Sequence, residues 1–181
     1  MTDFDMPYWE HHWRQARHGA GDPNPHLVRE TGELTPGTAL DAGCGQGAEA
    51  IWLASRGWAV TAVDISSEAL RHAGSPGVEW VRADLTTWTP ATPFDLVVTH
   101  YAHPAMPQLA FYRRIAEWVA PGGTLLVVGH AGGHHHVAEA SATVPGITEL
   151  LDDWEIVTAE ERVRTAKHPL HDVVVRARRK P

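Results

Sequence analysis

The 181-residue sequence predicts an α/β fold: a seven-stranded, mostly parallel sheet with helices on both faces and an antiparallel C-terminal strand pair. Two observations predict it. Strand-length apolar runs alternate with segments of helical periodicity from about residue 38 to residue 128, the pattern of a layered α/β unit. Beyond the Gly/His-rich stretch Gly129–Val137 the alternation stops. Trp154–Thr158 and Leu170–Arg176 read as strands with no clear helical pattern between them, and without a crossover they pair antiparallel.

Each element has a local reason. Thr38–Asp41 is a short apolar strand that opens directly into a glycine turn. Gly47–Arg56 carries Ala50, Ile51 and Ala54 at helical spacing, with Gly57 as its stop. Trp58–Val63 is a second buried strand, ending in Asp64. Ser66 or Ser67 caps a helix expected to run to about Ala73, and Ser75-Pro76-Gly77 turns the chain into a third strand, Val78–Val81. Thr86–Pro93 is loop-like where a helix would be usual, and Phe94–Val98 is the fourth strand. Leu109, Tyr112, Ile115 or Ala116, and Val119 line one face of a helix expected to end at Pro121-Gly122-Gly123. Thr124–Val128 is apolar throughout, as a central parallel strand is, and a weak helix follows near Ile147–Leu151.

Composition narrows the function classes. Fifteen Lys and Arg face 22 Asp and Glu, a net charge of −7, and the only basic run is the tail Arg176–Lys180, so nucleic acid is not the expected partner. No apolar run approaches the roughly 20 residues of a membrane helix, and Met1–Met6 has no apolar signal-peptide core. The single cysteine, Cys44, leaves no internal disulfide to form. A cytoplasmic, one-domain protein is the expectation.

The sharpest motif is Asp41-Ala42-Gly43-Cys44-Gly45-Gln46-Gly47-Ala48, set between a strand and a helix. Glycines there permit a tight turn and a close ligand approach to the helix N-terminus. The loop alone, with Asp64 about 20 residues on, also fits a dinucleotide fingerprint, so it does not choose between NAD and another adenosine-bearing cofactor. Three features favour the latter. Asp41 would repel a pyrophosphate but pair with an ammonium; Asp84 closes the third strand where it could accept from an adenine amino group; and no second nucleotide-binding half follows.

At these residues the sequence resembles the class I S-adenosylmethionine (SAM)-dependent methyltransferases, over about Leu34 to Arg178. The resemblance implies a Rossmann-like core, residues 34–178, with SAM as cofactor and S-adenosyl-L-homocysteine (SAH) as product. It implies that Asp41, Gly43, Cys44, Gly45 and Gly47 form the cofactor loop and that Asp64 holds the ribose. Ile65 would flank adenine, and Ala83, Asp84 and Leu85 would read its edge. Tyr8-Trp9 and Asn24-Pro25-His26-Leu27 resemble small bacterial methyltransferases of the tellurite-resistance and thiol-methyltransferase-like group. The reduced connection between the third and fourth strands, and the tight Ser75–Gly77 and Lys167–His168, depart from relatives with longer ones.

Ligands of open α/β sheets lie beyond the carboxyl ends of the strands. After the fourth strand comes Thr99-His100-Tyr101-Ala102-His103-Pro104, and after the fifth Gly129-His130. The Asn/Asp-Pro-Pro-Tyr/Phe signature of nucleic-acid amino-methylases is missing there. Thr99 and His100 are placed at the cofactor. His100 first, then His103 and His130, are candidate general bases for a small-molecule acceptor, because an imidazole titrates near neutrality. Residues 1–30 are expected to form a helical lid, with the Trp13 ring against the sulfonium. No metal ligand set is assigned: the histidines of Gly132–His136 are consecutive and chelate poorly by themselves. The alternatives are a small NAD(P)-binding oxidoreductase and a non-catalytic SAM-binding or metal-responsive protein.

Overall fold

The computed structural model describes residues 4–16, 19–71, 73–131, 141–164 and 170–181. Five strands run parallel: β1 (Thr38–Ala42), β2 (Ala59–Asp64), β3 (Val78–Arg82), β4 (Phe94–His100) and β5 (Val119–Ala131). A two-residue strand, β6 (Ser141–Ala142), pairs with His130 and Ala131 at the end of β5. β7 (Glu155–Arg164) and β8 (Leu170–Arg178) are the antiparallel pair, with β8 laid against β5. The order β3-β2-β1-β4-β5-β8-β7 matches the expected fold, with β6 as a short addition.

The central strands are apolar on both sides because both sides are covered. Leu40, Val97, Leu125, Val127, Val173 and Val175 point to one face and meet Phe111, Tyr112 and Ile115 of α5 (Gln108–Ala116). Ile147 of α6 (Val144–Thr148) and Leu151, in the 3₁₀ turn Glu149–Leu151, complete that layer. Their neighbours Ala39, Leu96, Val98, Leu126, Val128 and Val174 point the other way. There they meet Leu27 of α2 (Pro25–Thr31) and Ala50 and Leu53 of α3 (Ala48–Ser55). Two further helices, α1 (Met6–Gln15) and α4 (Ser67–Leu70), pack against each other near the carboxyl ends of β2 and β3.

Two elements differ from expectation. α4 stops at Leu70 rather than near Ala73, because the turn through Gly77, at φ +87°, must already return the chain to β3. α5 ends at Ala116, and Val119 belongs to β5. The Phe94 N–H donates to the Trp118 carbonyl (2.8 Å), so the chain joins the sheet before Pro121-Gly122-Gly123. That tripeptide is a bulge: β5 pairs Phe94 with Val119 but Leu96 with Thr124, and Gly122 takes φ +76° to absorb the excess. Residues 83–93 run from β3 to β4 as turns and loop, the reduced connection anticipated above. Lys167–His168 lies outside the described residues.

From β1 the chain winds outward through β2 to β3, then returns to the other side of β1 as β4. That reversal leaves a crevice beyond the carboxyl ends of β1 and β4, the switch point where open α/β sheets bind ligands.

Candidate active site

A cavity of about 660 Å³ occupies the crevice, within the roughly 300–1,000 Å³ range of small-molecule sites. Its floor is the loop from β1 to α3. Gly43 and Cys44 both donate their N–H to the Val63 carbonyl (2.9 and 3.0 Å), and the Gly45 N–H donates to Asp64 Oδ2 (2.8 Å). Gly43, Gly45 and Gly47 all have positive φ, which only glycine adopts without cost. A Cβ on Gly45 would stand 2.7 Å from the Trp13 ring, and one on Gly47 2.3 Å from the Trp80 ring. Side chains therefore already press against the space the glycines leave.

The wall is acidic. Asp22, Glu49, Asp64 and Asp84 line it, and among the described lining residues there is no Lys or Arg. Asp64, at the end of β2, accepts from Gly45 and, through Oδ1, from the Ser66 N–H (2.9 Å). Burial pushes its pKa above the usual carboxylate value despite those bonds. Asp84 accepts from the Thr86 N–H and hydroxyl at Oδ1, which leaves Oδ2 for a ligand. Asp41 does not reach the cavity wall. It is buried behind the loop with Oδ2 unpaired among the described residues, and burial, then the charges of Glu49 and Asp64, hold its carboxyl well above the ordinary range. Thr99 is also set back, its hydroxyl donating to the Ala42 carbonyl (2.8 Å). Ile65, Ala83, Leu85 and Trp13 line the cavity. So does Cys44, whose thiol is pushed well up, first by burial and then by the surrounding carboxylates, and is no nucleophile.

The three candidate histidines converge on the cavity. His100 is enclosed, and neither ring nitrogen has a hydrogen-bond partner among the described residues; burial pushes its pKa down and so favours the neutral ring. His103 is held more specifically. Gln108 Nε2 donates to the Ala102 carbonyl (2.9 Å), so Gln108 Oε1 faces His103 Nδ1 at 3.1 Å. An amide oxygen only accepts, which places the His103 proton on Nδ1 and the lone pair on Nε2. His130, on β5, stacks between Tyr101 (4.7 Å between ring centroids) and His103 (5.4 Å). Tyr101 is the one non-glycine residue with positive φ among the described residues, at +54°. Its N–H is tied to the Val128 carbonyl and its hydroxyl accepts from Asn24 Nδ2. Strain of this kind, over-determined by its neighbours, collects at functional sites.

Helix α1 crosses the opening. Asp5 caps it by accepting the Tyr8 N–H, Trp9 Nε1–H donates to the His103 carbonyl (3.1 Å), and Trp13 covers Gly45. Its other anchor is Glu10, whose carboxylate accepts the Ser67 N–H and hydroxyl (2.8 and 2.7 Å), the Glu68 N–H and the Ser66 hydroxyl, capping α4 from outside. Burial raises the Glu10 pKa, but these bonds together outweigh it and hold the carboxyl below its ordinary value. The docking bond is therefore present at neutral pH and is lost as pH falls through that lowered pKa. Glu10→Ala is expected to free α1 and raise the rate of trypsin cleavage after Arg14 severalfold at neutral pH. An unchanged rate would show that the carboxylate does not hold the helix.

The sequence reading missed Glu10, Gln108 and Gln46, a residue of the cavity lining whose buried Nε2 has no hydrogen-bond partner among the described residues. Only Gln46 carried a signal, its place within the glycine motif. The consecutive histidines of Gly132–His136 lie outside the described residues, and no cluster of metal-ligating side chains occurs among the described ones.

Residues 39–123 match the family model described as a methyltransferase domain. The trans-aconitate 2-methyltransferase of Streptomyces avermitilis is 33% identical over 138 residues, 66% of this chain and 50% of that protein. The probable thiol methyltransferase 2 of Arabidopsis thaliana is 31% identical over 145 residues, 71% of this chain and 63% of that protein. Over this stretch the chain is similar to SAM-dependent methyltransferase domains. It spans about half the length of the curated relatives it matches. The fold of the chain is also that of the N-methyltransferase NodS from Bradyrhizobium japonicum in complex with SAH. The TM-score is 0.75 at 19% identity, over 97% of this chain and 98% of the other. No helix among its described residues is long and apolar enough to cross a membrane.

Proposed function

We propose that the chain is a class I methyltransferase that uses SAM to methylate a small-molecule acceptor, as one cytoplasmic domain. The observation that carries the reading is the charge of the cavity. A glycine loop bordered by Asp22, Glu49, Asp64 and Asp84, with no Lys or Arg among the described lining residues, repels a pyrophosphate and attracts a sulfonium and an ammonium. NAD is disfavoured on the same ground.

The residues present fit SAM. Gly43, Gly45 and Gly47 line the cavity, and so do Gln46 and His100, whose buried polar atoms have no hydrogen-bond partner among the described residues. Asp64 would hold the ribose hydroxyls, Asp84 Oδ2 the adenine amino group and Ile65 the flank of the base. Asp41, buried behind the loop where its charged form is disfavoured, is not a contact on the wall. When bound, SAM supplies an electrophilic methyl group for in-line displacement, a reaction in which positioning does most of the work. The α1 helix excludes water over that geometry, Trp13 on the cofactor side and Trp9 on the acceptor side.

The acceptor's proton needs a base. His103 suits this role better than His100, because Gln108 fixes its tautomer with the lone pair on Nε2. His100, enclosed and favoured in its neutral form, is better suited to hydrogen-bonding cofactor or acceptor. The test is incubation of the chain with methyl-labelled SAM and a metabolite extract. Label in the small-molecule fraction is expected; label confined to protein or nucleic acid, or none transferred, would contradict the reading.

A further inference from the structure

We propose that the methyl acceptor is an uncharged, flat aromatic or heteroaromatic molecule carrying a protic O, N or S nucleophile. This rests on the methyl-transfer reading and adds the acceptor's chemical class to it.

The cavity wall away from the glycine loop and Asp64 is made of rings. Tyr101, His130 and His103 form a continuous stack with interplanar angles of 30° and 28°, and Trp9 continues it from His103 at 26°. Phe4, buried, closes the end against His103 at 5.5 Å. Rings stacked on one another have their inner faces occupied and leave their edges, on which a further ring packed edge-to-face gains more than its buried area alone. The positive φ of Tyr101, held by its bonds to Val128 and Asn24, fixes where this wall begins.

Charge removes the other acceptor classes. A polycarboxylate would be desolvated beside Asp22, Glu49, Asp64 and Asp84 with no guanidinium or ammonium among the described lining residues to receive it. A cation would be driven against the like charge of the sulfonium. An uncharged ring pays neither cost. Its nucleophile would lose a proton to His103 Nε2 as the bond from sulfur to the methyl carbon breaks and the bond from the nucleophile to that carbon forms. SAH then leaves without a net charge on its sulfur, and the imidazolium returns the proton to water.

The experiment has two stages on the intact chain. SAH is first titrated calorimetrically; failure to bind would remove the methyl-transfer reading itself. With SAH bound, 8-hydroxyquinoline, 2-mercaptobenzimidazole and 1-naphthol are titrated alongside trans-aconitate and thiocyanate, and each is then assayed with SAM for SAH release. At least one flat probe is expected to bind, and the two anions are expected to show neither binding nor turnover. His130→Ala is expected to weaken the flat probe about fivefold to tenfold, the scale of one ring contact, while SAH affinity stays as in the wild type. SAH binding accompanied by turnover of trans-aconitate or thiocyanate, by binding of none of the flat probes, or by a His130→Ala variant that binds them as well as the wild type would overturn the proposal.

Discussion

Replacing Asp64 with alanine is expected to weaken SAH binding by about a hundredfold or more and to lower the stability of the chain by about 2–4 kcal/mol. Two effects add. In the free protein Asp64 accepts the N–H groups of Gly45 and Ser66, both at buried positions, so its removal leaves two donors without partners and loosens the glycine loop where it meets β2. In the complex, a carboxylate that receives two ribose hydroxyls makes charge-assisted bonds of about 1.5–3 kcal/mol each. Asp64→Asn separates the contributions. It keeps an oxygen for one of the backbone donors and most of the volume, so stability should recover more than affinity. Chemical denaturation and calorimetry on the three proteins provide the check. Wild-type affinity in Asp64→Ala would remove Asp64 from the cofactor site.

Replacing His103 with alanine is expected to lower kcat by about a hundredfold or more, in the range typical of general bases, with SAH affinity little changed. Gln108→Ala should act through His103. Without the acceptor at Oε1 the imidazole is free to place its proton on either nitrogen, and the productive tautomer is no longer enforced. A reduction of about tenfold in kcat with KM for SAM unchanged is expected. A structural role alone would instead lower stability and leave the pH profile where it was. Gln108→Glu supplies the contrast: a carboxylate at Nδ1 stabilises the imidazolium, so the acid limb of the rate profile, where His103 loses its proton, should move to higher pH. His100→Ala, by comparison, should raise KM more than it lowers kcat. If His100→Ala abolishes turnover and His103→Ala does not, the two roles are exchanged.

The legible part of this molecule was what depends on neighbours in the chain. Leu40, Val97 and Val127 sit in uniformly apolar runs because their strands are covered on both faces, and such runs can be seen without knowing what covers them. The loop from Asp41 to Ala48 was visible for a similar reason: it follows a strand directly, and its glycines are close in sequence as well as in space. The end of α5 was not legible. Pro121-Gly122-Gly123 has the chemistry of a helix stop, and only the pairing of Phe94 with Val119 turns it into a bulge inside β5.

The site divides along the same line. Gly43, Gly45, Asp64 and Asp84 belong to local motifs, and the structure places them around one cavity. Glu10 does not: its partners Ser66, Ser67 and Glu68 lie 56 to 58 residues away, and nothing near Glu10 in the chain marks it. The histidines were readable as candidates, with His100 ranked first, and the proposal for His103 rests on a contact distant from any motif. That contact is a single amide, Gln108, which faces His103 Nδ1 and is oriented by a bond to the Ala102 carbonyl.

The central claim is that the acidic, glycine-floored cavity is a SAM site. It is tested most directly by calorimetric titration of the intact chain with SAH and, separately, with NAD. Saturable binding of one SAH per chain is expected, with no heat of binding for NAD at the same concentrations. Binding of NAD in preference to SAH, or of neither, would contradict it.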